Sequence, residues 1–269
     1  MGIVMKDTDL VKKVKDIATN YKTLYVYACF GAPMTQRNKE RYSNNCDYNR
    51  QPSRKKMIMS ASTDTFGFDC VNLIKGVLWG WNGNVNATYG GAVYKANGVP
   101  DTSANGMFQN YCYDKSSDFS NIIPGEFVWM NGHIGVYIGD GLVVECTPAW
   151  QNKVQITACG NIGKKSGYNT RTWTQHGKSN FIEYNEDPDK IKEYLEPKGY
   201  LGKGDNDQKI KDICEWFSKN RIDGTYFGNY LEAIVKVYQQ EKGEAKVGKP
   251  DGYIGPRTLQ AMVDDGFNL

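Results

Sequence analysis

Histidine is almost missing from this chain, with only His133 and His176 in 269 residues. That scarcity, and seven cysteines scattered without a Cys-x-x-Cys spacing, leaves no zinc-ligand pattern, so no metal and no cofactor are expected. The odd cysteine count also lacks a short disulfide-framework spacing, which favours reduced thiols. No run approaches the length of an apolar membrane span, so no spanning helix is predicted. The first residues carry charge from Lys6 and Asp7 onward and contain no apolar core of a secretory signal, so synthesis in the cytoplasm without a signal peptide is expected. Charge of one sign is scarce too. The 33 Lys and Arg against 30 Asp and Glu give a net +3, which does not mark a nucleic-acid binder.

One stretch departs from that balance. Residues 37–56 hold seven basic side chains, among them Arg37, Arg41, Arg50 and Arg54, against Glu40 and Asp47, with Tyr42 and Tyr48 between them. Three readings fit: a solvated loop, a nucleic-acid contact, or attraction to an anionic cell wall. Elsewhere the chain reads as ordered and globular, with 40% hydrophobic and 13% aromatic residues.

Asp69-Cys70 is the strongest chemical signal. Apolar groups at 70, 73, 74, 77, 78 and 81 follow helical spacing, and Asp69 suits the N-cap, which puts Cys70 on the first turn. A thiol there is favoured as a thiolate by the helix dipole, and a nearby histidine would lower its pKa further. The other reading of Cys70 is a small buried hydrophobe. The general base must be sought among two histidines. His176, in Thr174-Gln175-His176-Gly177, reads as an exposed turn, which leaves His133.

His133 opens an alternating run inside a predicted meander. Three β-rich stretches, 126–130, 133–138 and 142–147, are separated by Asn131-Gly132 and Gly139-Asp140-Gly141. His133, Gly135 and Tyr137 share one face, whereas Ile134, Val136 and Ile138 share the other, which should be core. The second turn decides whether Glu145 reaches the histidine. A two-residue loop sets Val136 opposite Glu145 and points the acid away. A three-residue loop over 139–141 sets Gly135 opposite Glu145, on the face of His133, where a carboxylate would orient the imidazole. The alternative for Glu145 is an exposed edge position.

Phe68-Asp69-Cys70 before an apolar helix, Pro124-Gly125-Glu126-Phe127-Val128-Trp129, and the run from His133 to Gly141 together resemble the signature blocks of the NlpC/P60 cysteine peptidases over about residues 10–182. The resemblance implies an α+β papain-like catalytic domain that cuts peptidoglycan stem peptides, commonly between D-glutamate and a diamino acid. It makes Cys70 the nucleophile, His133 the base and Glu145, twelve positions later, the third catalytic group, with Tyr25 matching the tyrosine ahead of the cysteine. Val71-Asn72 stands where the family usually has Ser-Gly, and residues 31–67 have no counterpart.

Apolar positions 210, 213, 216 and 217, then 231, 234, 235 and 238, then 259, 262 and 263 mark three amphipathic helices. This end resembles the three-helix peptidoglycan-binding module of wall hydrolases; a helical dimerisation or regulatory unit has the same spacing. The polar stretch between carries prolines, glycines and charges and reads as a linker. The expected division is therefore a peptidase domain at 1–184, a linker at 185–202 and a small three-helix domain at 203–269. The expected partner is bacterial peptidoglycan, reached after release in the manner of a phage endolysin. An N-acetylmuramoyl-L-alanine amidase with the same dyad, a thiol acyltransferase and a non-catalytic wall binder are the alternatives.

Overall fold

The computed structural model describes residues 2–184, 188–218, 225–265, 267 and 269. The chain forms two compact units that divide between Tyr184 and Asn185.

The first unit is a mixed α/β fold around a seven-stranded sheet. In spatial order its strands are Thr170–Arg171, Lys153–Cys159, Leu142–Thr147, His133–Tyr137, Phe127–Met130, Gln175–Ser179 and Cys112–Ser116. All neighbours run antiparallel except the first pair. The three central strands are the meander expected from the turn signals. Ile134 and Val136 enter the main core together with Val144, Cys146 and the helix Cys70–Leu78. The opposite face is not open, because Tyr137 packs with Phe119, Val128, Val143, Cys159 and Trp173 in a second cluster.

Every residue of Cys70–Leu78 is buried, the polar Asn72 and Lys75 included, so this helix forms the centre of the unit. Its apolar spacing continues to Trp81, but the helix stops earlier. Gly80 adopts φ +89, its N–H donates to Val77 O (3.1 Å) and the Trp81 N–H donates to Gly76 O (2.9 Å). That paired bonding is a Schellman cap, and Gly80 supplies the left-handed residue it needs. Trp81 remains in the core through its indole N–H, which donates to Gly31 O at 3.0 Å.

Residues 31–67 are well structured. Strands Thr23–Tyr25, Phe66–Phe68 and Phe30–Pro33 form a small sheet with Phe66–Phe68 in the middle. The helices Gln36–Tyr42, Asp47–Arg50 and Pro52–Ser60 occupy the connection, and Tyr42 and Ile58 close over Val26, Cys29, Ala32 and Met34. The basic stretch is thus helical. Arg54 is buried, so that part of it is no solvated loop.

His176 also departs from expectation. It lies in strand Gln175–Ser179, 4% exposed, with Nδ1 on the Glu126 carboxylate and Nε2–H donating to Asp118 O at 2.9 Å. Burial pushes its pKa down, but the bonds to Glu126 and Asp118 outweigh that and leave it raised. A polar tetrapeptide reads as a turn only while its partners are unseen, and here an acid and a carbonyl accept both ring N–H groups.

The second unit is helical. Gln208–Ser218, Asn229–Lys242 and Pro256–Asp264 match the three predicted amphipathic segments, and Pro188–Tyr194 and Glu244–Val247 add two further helices among the described residues. The three-helix expectation is therefore too simple. The expected linker belongs to this unit as well, since Ile191, Leu195 and Leu201 are buried in its core beside Ile210, Phe227 and Leu259. Their wide spacing among charges hides them from any periodicity test. Residues 185–187 of that segment lie outside the described residues. A fragment covering 185–269 should fold, whereas one starting at 203 should lose about 1.5–3 kcal/mol for each of the three missing side chains. Thermal melts of the two fragments followed by circular dichroism check this; equal melting temperatures would contradict it.

Candidate active site

Cys70 owes its position to Asp69. The Asp69 carboxylate accepts the Asn72 N–H (2.8 Å), the Asn72 side-chain amide (2.7 Å) and the Ala28 N–H (2.8 Å), which caps the helix and ties it to the strand region before it. Cys70 is 8% exposed. Its thiol points at Gly132 O, 3.9 Å away, and also meets the backbone N–H of Ile134. The sulfur is therefore bracketed by the two residues that flank His133.

Burial pushes the Cys70 thiol up to about 12, and the adjacent Asp69 carboxylate adds to the rise, while the N–H groups of Val71, Ile134 and Cys70 itself pull it back. The lowered pKa expected from the helix start is thus corrected. Desolvation and a neighbouring anion outweigh the dipole, and the resting sulfur is a neutral thiol.

His133 is positioned by the hairpin. The Ile138 N–H donates to Leu142 O and the Leu142 N–H to Gly139 O, both at 2.9 Å, so the loop is the three residues 139–141, with Gly141 at φ +69. The ladder joins Val136 to Val144 and Tyr137 to Val143 and ends there; its register sets Gly135 opposite Glu145. The acid thereby shares the face of His133, and the imidazole Nε2 lies 2.6 Å from Glu145 Oε2. With Nε2–H donating to a carboxylate, Nδ1 is the nitrogen left to take a proton.

Glu145 is 0% exposed. The Thr157 hydroxyl donates to its Oε1 at 2.7 Å, and Arg171 Nε–H reaches Oε1 at 3.0 Å and Oε2 at 2.8 Å. Burial alone would raise this carboxyl, but the hydrogen bond and charge of His133, with the Arg171 guanidinium, hold it below the usual carboxylate range. Arg171 is confined in turn, lying 4.9 Å from the Trp150 ring centroid and 5.7 Å from that of Trp173, and donating to Thr147 Oγ1 at 3.2 Å. Trp173 then stacks on the imidazole, with centroids 5.3 Å apart and planes 9° from parallel. Gly135 makes room for that stack. A Cβ there would meet Val143 Cγ1 at 2.8 Å, Val144 O at 3.0 Å and Trp173 Cη2 at 3.2 Å.

Tyr25 ends the strand Thr23–Tyr25, buried opposite Phe68. Burial raises its hydroxyl pKa strongly, and the nearby Asp69 and Cys70 add to this, so the phenol stays a proton donor beside the cysteine. Arg54 clamps it, with the guanidinium 5.4 Å over the ring and Nη2 donating to Tyr25 O. All four residues expected at the site thus lie in one neighbourhood. Arg171, Thr157, Trp173 and Arg54 join it without a sequence signal of their own. Thr170–Arg171 is a two-residue strand, too short for an alternation signal, and Arg54 is hidden among other cations of its stretch.

No protein-family model matches this chain, and no curated protein matches it. What it can do chemically rests on its own geometry: a thiol, an imidazole with an orienting acid, and a phenol donor. Among the described residues no group of three or more His, Cys, Asp or Glu is placed to hold a metal ion.

The Arg171 clamp makes a direct prediction. Arg171→Met strands a carboxylate with no exposure and should cost about 3 kcal/mol at pH 7. A carboxyl whose folded pKa is depressed stabilises the fold above its unfolded pKa and loses that contribution as pH falls through the folded value. The gap between parent and variant should therefore shrink as the pH drops below the ordinary carboxylate range. Urea denaturation at pH 7 and at low pH checks this, and a gap independent of pH would count against it.

Proposed function

We propose that this protein is a cysteine peptidase of the bacterial cell wall that cleaves peptidoglycan stem peptides, most naturally the amide between D-glutamate and a diamino acid. The observation that carries the reading is the Cys70 thiol bracketed by the neighbours of His133, whose Nε2 is tied to Glu145. The resemblance of the Cys70, Pro124 and His133 blocks to NlpC/P60 peptidases supports the substrate class, and the helical second unit fits a wall-binding module. Such a pair of units suits the lytic role of a phage endolysin.

The chemistry follows from the protonation states. As the substrate carbonyl arrives, the Cys70 Sγ–H proton passes to His133 Nδ1 and the sulfur attacks the carbonyl carbon. Glu145 stabilises the imidazolium so formed through Nε2–H. The Cys70 N–H and the Tyr25 hydroxyl are the donors for the oxyanion. The imidazolium then protonates the leaving amine, the C–N bond breaks and a thioester remains. His133 Nδ1 next takes a proton from water as its oxygen bonds to the thioester carbon; the second tetrahedral species then collapses with cleavage of the C–S bond, the carboxylic acid leaves, and the imidazolium returns its proton to the sulfur.

No described helix is long and apolar enough to cross a membrane. Cys70→Ala and His133→Ala should each lower muropeptide release by about 10⁴-fold or more. Mass spectrometry of digested wall should show new amines on the diamino acid; a muramic acid product would favour the amidase, and an amine-capped glutamate the transferase. Because the resting sulfur is a thiol, alkylation of Cys70 by iodoacetamide should accelerate steadily above pH 9. A rate already maximal at pH 7 would instead show a preformed thiolate–imidazolium pair.

A further inference from the structure

A groove of about 440 Å³ lies beside the helix that carries the nucleophile, lined by Ala28 and Asn72, the two residues bound to the Asp69 carboxylate, and by Phe30, Arg41 and Tyr89. Arg41 and Tyr89 also line a second cavity of about 500 Å³, together with Arg37 and Thr35. Both volumes are of the size that holds a small peptide or ligand. The floor is aromatic, since Phe30 stacks on Tyr89 with centroids 4.3 Å apart.

The charges of this groove are unbalanced at one end. Asp101, the acid in the first cavity, is already engaged by the buried Lys75 and by the Tyr94 hydroxyl at 2.9 Å. Glu40, on the helix of Arg41, accepts from Gln36 at 2.7 Å. Neither Arg37 nor Arg41 forms an ion pair among the described residues. Arg41 is nevertheless held in place, 5.2 Å over Tyr42 and 5.6 Å over Tyr89, with Nη1 donating to the Tyr89 hydroxyl at 2.9 Å. Arg41 lines both cavities. A guanidinium already ordered against aromatic faces loses little freedom on binding an anion, and its fork matches a carboxylate better than any neutral group.

We propose that Arg41, with Arg37 behind it, forms a carboxylate subsite that selects stem peptides carrying a free carboxylate away from the scissile amide over peptides amidated at that group. This rests on Cys70 being the nucleophile of a wall peptidase. The helix that carries Arg41 lies within residues 31–67, which have no counterpart in the resembled family. An amide in the subsite would present N–H donors to guanidinium donors, so selection is by repulsion as well as by lost charge.

The test uses the full chain as Cys70→Ala, which binds without turnover. Isothermal titration is carried out with L-alanyl-γ-D-glutamyl-L-lysine and with its forms amidated at the glutamyl or at the terminal carboxyl. One amidated form should bind about 10- to 100-fold more weakly than the free acid. Adding Arg41→Gln should collapse that ratio toward one, and Arg41→Lys should restore part of it. Equal affinity for all three peptides, a preference that survives Arg41→Gln, or no binding at all would each overturn the subsite. Digestion of the same peptides by the parent, followed by mass spectrometry, separates the two ideas: cleavage of all three at equal rates removes the subsite alone, whereas cleavage of none removes the wall-peptidase reading too.

Discussion

A carboxylate with no solvent exposure stands at the centre of this molecule's chemistry. Glu145 stays ionised in the interior only because His133, Thr157 and Arg171 supply its hydrogen bonds and a compensating charge. A buried charge so placed would be costly if any partner were lost, so it constrains everything around it. It fixes the histidine tautomer, it holds Arg171 between two tryptophans, and through Trp173 it sets the plane of the imidazole. Four separate strands contribute to this cluster, which means that His133 is oriented by the sheet as a whole rather than by its own strand.

The sheet itself is arranged to let the cysteine in. The ladder between the His133 and Glu145 strands ends at Val136 and Val144, and beyond that point the backbone of Gly132 and Ile134 meets the Cys70 sulfur instead of a neighbouring strand. Backbone groups that a longer ladder would have consumed become part of the site. Gly135 serves the same end, because a side chain there would collide with Trp173 and with the adjoining strand.

The helices over residues 36–60 do more than cover a core. Arg54 from the last of them grips the carbonyl and ring of Tyr25, and Arg41 from the first lines the groove. A stretch whose composition reads as diffuse positive charge is thus divided by the fold into one buried structural cation and others directed at a cavity. Net charge describes a long-range field, not the tasks of individual arginines.

Local chemistry made much of this legible in the sequence. The Asp69 cap, the helical spacing after Cys70 and the glycine-rich turn at 139–141 are encoded within a few residues of one another, and each acts through backbone geometry that needs no distant partner. Those signals suffice to put a thiol at a helix start and an acid on the face of a histidine. Tertiary structure alone decided the rest. The ionisation of Cys70 depends on how completely the core desolvates it, the burial of His176 on an acid 50 positions away, and the fate of 188–201 on a helical core that lies ahead of it in the chain. Arg171, from a two-residue strand, and Trp173, from the loop after it, join the site without leaving a pattern. Desolvation and long-range pairing depend on what surrounds a residue in three dimensions, and no local periodicity records that.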